Sequence, residues 1–600
     1  MPDDRLGPRP EALTPVEVRA HPAASAARRS TDHDLRRFGQ KERPAGRCRH
    51  RKERPQSGLM MAGALGSRLS GFVRSAAIVA ALGTGLPGDV YTVANTLPNI
   101  VFMLLMGGAL NSVLVPELVR AVGDEDNGQA FTDRLVTVCF VLVLVLTAGA
   151  VLAAPGLVSL YAPNFTGVQR EATVILARLC LPQIFFYGIF GILGQVLVAR
   201  GRPAATMWAP VANNVVVIGV FGMVAATVGQ MGDIGQVTEA QWVWLGAGST
   251  LGIVVQAVLL LPSLYRSGYR WRPRFDWLHS GLMNPLRAAG WAFLVILVSQ
   301  VAFWVITVLA TTVSERAAAD GQTAGVGLTA YNNAYQLWVV PQGIIVVSLV
   351  TAALPSLSRA AQTGSYADVS EGIARTVRAT MGLIVPASLV FLLLGEEIAM
   401  LAYGYGTVDH GDVEVLGDVL AAFALGLPAF CVQYTATRGF YVLDDAKTPV
   451  LLALITAGTN AALSAVAAQL LPIRWAVTGM AAAHTCACII GATATILLLR
   501  RHLRRASRAQ YRGHTETSAA GRSLGLVGMH LRVAIACLPG LVATHYLTSL
   551  IRSHVDGGRL GDAVSLLAGC TLLGASLLAL SRPLRVAEAL QPILLRLRRN

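Results

Sequence analysis

Between residues 61 and 582 the chain is a succession of apolar runs, each close to the length that crosses a bilayer. A membrane helix needs about 20 mostly apolar residues, because the hydrocarbon core is about 30 Å thick. Fourteen such runs can be marked, at 61–83, 90–117, 135–156, 175–199, 205–228, 241–264, 288–312, 328–354, 377–400, 415–437, 448–471, 475–499, 528–550 and 562–581. Lipid offers a backbone no hydrogen bonds, so runs of this kind must fold as helices. Apolar residues make up 54 % of the 600 and charged residues 14 %, against about 25 % charged in soluble domains. The expected fold class is an all-α polytopic membrane protein with about 14 transmembrane helices.

The net charge of +15 would suggest nucleic acid in a soluble protein. Its distribution argues otherwise. With the N-terminus placed in the cytoplasm, the inside connections and C-terminal tail hold 27 Lys and Arg, and the outside connections hold five. That bias orients a membrane protein. It predicts a multi-pass protein of the cytoplasmic membrane with both termini cytoplasmic, and no nucleic-acid partner is needed. Residues 1–58 form a basic, Pro-rich tail with 14 Lys and Arg against 8 acids and no apolar periodicity. Such composition predicts disorder, with contact to anionic membrane lipids as one role. The eight cysteines are scattered through apolar runs, which is no disulfide framework. His484, Cys486 and Cys488 read as packing residues rather than a metal site.

Some residues inside the spans are costly there. Arg68 and Arg74 lie in the first run, "SRLSGFVRSAAIVAALG". An arginine at a helix centre costs about 2.5–3.5 kcal/mol on insertion scales. Arg68 can snorkel, whereas Arg74 is deeper and points to a wet cavity with an anionic substrate. A bend at Gly71 would bring the two together. Amides recur at Asn95, Asn99, Asn111, Asn213, Asn214, Gln300, Asn332, Asn333, Gln336 and Asn460. Most are expected to be interhelical hydrogen-bond partners, with Asn99 facing the cavity. Prolines at 98, 182, 210, 341, 386 and 428 break helices that pack together or line water. The pattern is that of a transporter. No P-loop, H-E-x-x-H or G-x-S-x-G motif is found, so the energy source is expected to be an ion gradient, the membrane potential or the substrate gradient.

"SRLSGFVR" followed by "GDVYTVANTLPNIVFMLLMGGALNSVLVPELVRA" resembles the start of the MurJ/MviN family of lipid II flippases. The likeness continues in "WAPVANNVVVIG", "VVPQGIIVVSLVTAALPSLSRA", "AYGYGTVD" and "GFYVLDDAKTPV". It implies the fold of the MOP exporter superfamily: one six-helix lobe over 61–264, a second over 284–501 and two extra helices over 528–581; outside the likeness the sequence leaves a cytoplasmic loop at 502–527 and a basic tail at 582–600. It implies translocation of lipid II, or a similar polyprenyl-pyrophosphate glycan, from inner to outer leaflet for cell-wall synthesis. Cell-wall synthesis proteins are then candidate partners. By motif position the resemblance makes Arg68, Arg74, Asp89 and Asn99 the substrate-binding candidates.

The sequence also departs from the family. Phe102, Gln336 and Val339 stand where well-known members carry charges, which predicts a less charged cavity. Some members bind sodium through carboxylates in helices 7 and 11. Asn460 could be one such ligand, but neither helix here has an acid. That argues against sodium, and no cofactor is expected. Two other readings remain at this level: a related MOP-type exporter of another glycan or of drugs, and a non-transporting wall-assembly scaffold. Carboxylates inside the bundle would favour a drug exporter. The missing charges at 336 and 339 favour the scaffold.

Overall fold

The computed structural model describes residues 54–104, 129–228, 234–276, 290–321, 325–510, 524–554 and 559–584. Those residues are helical with short connections, and none of them forms a strand. The helices of the first half are α1 (Arg54–Leu82), α2 (Leu86–Leu104), α3 (Gln129–Leu152), α4 (Gly167–Cys180), α5 (Gln183–Ala199), α6 (Ala204–Val228) and α7 (Glu239–Val258). The second half holds α8 (Gly290–Ala319), α9 (Leu328–Pro341), α10 (Val347–Gln362), α11 (Tyr366–Leu393), α12 (His410–Ala424), α13 (Gly426–Val442), α14 (Lys447–Leu470) and α15 (Ile473–Gln510). Two further helices follow, α16 (Leu524–His554) and α17 (Arg559–Ser581).

Among the described residues twelve helical segments are long and apolar enough to cross a membrane, or thirteen when the bent pair α12–α13 counts as one span. The second expected span, 90–117, is described only to Leu104, so Gly107, Gly108, Asn111 and Pro116 lie outside the described residues. Many of these helices are apolar on every face, which in a soluble protein would leave large greasy surfaces bare. On α3, Leu142, Leu144 and Val145 are exposed while Val143 and Thr147 are buried, as expected where lipid covers one side.

Prolines set the breaks. Pro182 separates α4 from α5 within one span, Gly167–Ala199. Pro341 ends α9 and is followed by one π-helical turn, Gln342–Val346, before α10 continues the span. The proline ring has no N–H to donate, and a wide turn is one way to absorb that. α12 and α13 meet at a 45° bend around Leu425.

Three expected boundaries shift. α1 starts at Arg54, inside the segment read as tail. α15 runs to Gln510, well into the expected 502–527 loop. α13 runs to Val442, so Arg438 sits within a helix rather than in a connection. α1 is also unbroken through Gly71. Beside Gly71 the Asn214 amide donates to Ser67 O at 3.2 Å and Ser70 Oγ at 2.9 Å. Asn214 is therefore the interhelical amide its type predicts.

Candidate functional site

The two halves meet along α1 and α9, which cross in opposite directions. Ser75 Oγ donates to Gln336 Oε1 at 3.0 Å. Seven residues back along α1 and seven on along the span of α9, the Arg68 guanidinium lies against Gly343 in the π turn. A Cβ there would stand 2.5 Å from Arg68 Nη1. Position 336, lacking the family's charge, thus supplies a neutral bond across the seam.

Toward the Gly83–Gly85 turn the halves are joined by buried carboxylates. Asp89, wholly buried at the start of α2, accepts from the backbone N–H of Thr329 at 2.6 Å and of Leu328 at 3.1 Å. These are unpaired donors of the first turn of α9, where the helix dipole also favours a negative charge. Asp412 of α12 does the same for the facing turn, accepting from Thr84 Oγ1 at 2.8 Å and Gly325 N at 2.6 Å. Thr92 and Thr329 pair through their hydroxyls at 3.1 Å, and Thr407 N donates to Ala80 O at 3.1 Å. Any side chain at Gly327 would collide with the Asp89 carboxylate. Gly406, at φ +68°, lies hard against the Ala80 carbonyl. This end is sealed backbone to backbone.

The opposite end carries the basic connections. A cavity of about 620 Å³ lies in the second half and is edged by α2. Asn99, Gln300, Asn332, Tyr335, Arg438 and His484 line it. Tyr441 and Pro449, beside the α13–α14 connection, also line it. Asn460 lies 13 residues into α14, about 20 Å along the helix at 1.5 Å per residue. The cavity therefore extends from the basic end deep into the span.

The four residues singled out from sequence do not form one cluster. Asn99 is exposed to the cavity, as expected. Arg68 lies on the seam. Arg74 is half-buried in the first half. Its Nε is buried with no hydrogen-bond partner. Asp89 has both oxygens committed to the sealed end, away from the cavity lining. Phe102 stacks on Tyr187, ring centres 5.0 Å apart, so an aromatic contact occupies the place where a cation was sought.

Sequence reading missed two residues of the cavity. Arg438 lies one residue past the 437 end of the tenth expected span, which places it in a connection. His484 had been read as packing. It does pack, within 5.3–5.8 Å of the Tyr335, Trp338 and Phe423 ring centres, yet both its ring nitrogens are buried without a partner. The one available signal was a lone histidine on an apolar span, since a polar ring there needs hydrogen-bond partners.

A family profile described as "Lipid II flippase MurJ" matches residues 78–553. A probable lipid II flippase MurJ of Rhizobium meliloti (strain 1021) is 28 % identical over 412 residues, covering 67 % of this chain and 72 % of that protein. One from Vibrio cholerae is 26 % identical over 416 residues, covering 67 % and 74 %. Among solved structures, a lipid II flippase MurJ in an inward closed conformation superposes with TM-score 0.66 at 16 % identity, over 88 % of this chain and 99 % of that one. A multidrug-resistance MATE transporter of the MOP superfamily gives 0.58 at 14 %, over 77 % and 100 %. The two structural matches establish the shared fold.

Proposed function

The chain belongs to the MurJ family of lipid II flippases, and from that premise we propose that it carries lipid-linked peptidoglycan precursor across the cytoplasmic membrane by alternating access. The carrying observation is an asymmetry. One end of the bundle is closed across the halves by Asp89 and Asp412, while the cavity reaches toward the other, basic end. The positive-inside bias makes the basic end cytoplasmic, with both termini inside. In this conformation the headgroup enters from the cytoplasm. Release outside requires the Asp89 and Asp412 bonds to part.

Arg68 and Arg74 supply the charge for the pyrophosphate. A planar guanidinium makes paired, charge-assisted hydrogen bonds to phosphate oxygens. The unpartnered Arg74 Nε supports this role, because an unsatisfied buried donor costs about 1–3 kcal/mol unless something completes it. The energy source is proposed to be an ion gradient or the membrane potential.

The test is rescue of bacteria depleted of their own lipid II flippase. Expression of this chain should restore growth and clear precursor from the inner leaflet. Arg74→Ala should fail while still reaching the membrane. Full rescue by Arg74→Ala would instead favour a scaffold, and no rescue by the unaltered chain would remove the flippase reading.

A further inference from the structure

Among the described residues, the second-half cavity holds a cation without a carboxylate partner and two ring nitrogens without a hydrogen-bond partner. Arg438 stacks on Tyr434, its guanidinium carbon 4.6 Å from the ring centre, and donates to the Tyr434 hydroxyl at 2.8 Å. A guanidinium has five N–H donors in a rigid fork. Stacking occupies its face and one bond occupies one donor, so N–H groups remain along its edge. No carboxylate lies within ion-pair distance of it among the described residues. Deeper in, His484 presents two buried nitrogens with no partner. The side-chain amides of Gln300 and Asn332 also line the space.

What fits is set by charge and size. A pyrophosphate carries at least two negative charges and calls for more than one cation. Among the described residues Arg438 is the one lysine or arginine lining this cavity, and neither Arg68 nor Arg74 does so. One guanidinium matches one carboxylate, bidentate and in plane. Amides, phenols and an unpaired imidazole match hydroxyls and peptide groups, and aromatic walls such as Phe430 suit the apolar face of a sugar ring. A volume of about 620 Å³ falls in the range that buries a drug-sized molecule, about 300–1,000 Å³, so it takes a fragment rather than a whole headgroup.

We propose that this cavity is a subsite for the carboxylate-bearing peptide and sugar portion of the transported headgroup. Arg438 pairs with a carboxylate near the mouth, and His484 hydrogen-bonds an amide or hydroxyl at the floor. The inference rests on the flippase reading above and divides the substrate between two places. The pyrophosphate goes to the first-half arginines and the peptide end to Arg438.

The experiment uses the full chain in lipid nanodiscs and two soluble probes: an N-acetylmuramyl-pentapeptide with free carboxylates, and the same molecule with every carboxylate amidated. The unaltered protein should bind the acid form about tenfold tighter or more, the scale of one charge-assisted pair. Arg438→Gln should abolish the preference while still binding the amidated probe. Arg438→Lys, which keeps charge but lacks the fork, should retain part of it. Arg178→Gln, on the exposed side of α4, should leave it whole. Equal binding of the two probes by the unaltered protein overturns the proposal even if Arg438→Gln does not fold. So does a preference that survives in Arg438→Gln. Growth rescue by the unaltered chain reads the flippase function separately, so the two ideas fail by different results.

Discussion

The sealed end and the cavity treat polar groups in opposite ways. At the sealed end every named polar atom is answered: both oxygens of Asp89 and Oδ1 of Asp412 accept from backbone or hydroxyl donors of the opposing turn. In the cavity the answers are missing at both nitrogens of His484, and in the first half at Arg74 Nε. Satisfied short bonds to backbone favour one arrangement strongly. Unsatisfied donors cost stability where they stand and regain it when a ligand supplies the partner. On the proposals above, the first region holds a conformation and the second binds substrate. Experiments that exchange these characters test the assignment directly.

The largest effect should come from making the seal permanent. Thr92 and Thr329 face each other across the halves at 3.1 Å, close enough for a Thr92→Cys, Thr329→Cys pair to be bridged by oxidation. The bridged protein should still bind the muramyl-peptide probe but should not move lipid II in proteoliposomes, and reductant should restore transport. Undiminished transport with the bridge formed would show that this end does not open.

A graded version weakens the seal instead. Asp89→Asn keeps the shape, but its amide offers a single acceptor oxygen, so one of the two backbone bonds is lost and the other is no longer charge-assisted. Hydrogen bonds to charged groups contribute about 1.5–3 kcal/mol, so closure should weaken about ten- to a hundredfold. The readout is the labelling rate of Thr92→Cys by a membrane-impermeant thiol reagent, compared with and without Asp89→Asn. An unchanged rate would mean that Asp89 does not hold the closed state.

The contrast also marks what could be read from the sequence. The spans were legible because crossing a bilayer imposes a length and composition on each run independently of its neighbours. Arg74 was legible because a deep arginine is costly wherever it stands. The role of Asp89 was not, since its partner Thr329 is 240 positions away and nothing local to "GDVYTVAN" indicates a cap for another helix. Arg438 was hidden by a boundary set a few residues short of the true helix end, which converted a cavity residue into an orientation charge. His484 was hidden because a lone histidine among small apolar residues looks the same whether its nitrogens are bonded or bare.

A smaller effect is expected at the cavity floor. His484→Phe removes two unpaired nitrogens and keeps an aromatic ring against Tyr335, Trp338 and Phe423. Thermal stability in detergent should stay level or rise by about 1 kcal/mol, the scale of one relieved polar group. Affinity for the muramyl-peptide probe should fall severalfold. A fall in stability with unchanged affinity would make His484 a structural residue and remove it from the subsite.

The smallest effect should come from the connection between the halves, which belongs to neither region. Residues 269–276 are laid along α3. Tyr269 donates its hydroxyl to Asp133 at 2.9 Å, the N–H of Arg274 donates to Thr137 Oγ1 at 3.1 Å, and Arg134 holds Asp276 at 2.6 Å. The hydrogen bond from Arg134 keeps the Asp276 carboxyl below the ordinary carboxylate range. Its contribution is therefore present at neutral pH and is lost only as the pH falls through that lowered value. Because the pair is solvent-exposed, it is screened and weak. Asp276→Asn should change transport less than about twofold between pH 6 and 8, with no new pH dependence in that window. A loss comparable to that of Asp89→Asn would place a coupling element in the connection and blur the division between a seal that holds and a cavity that binds.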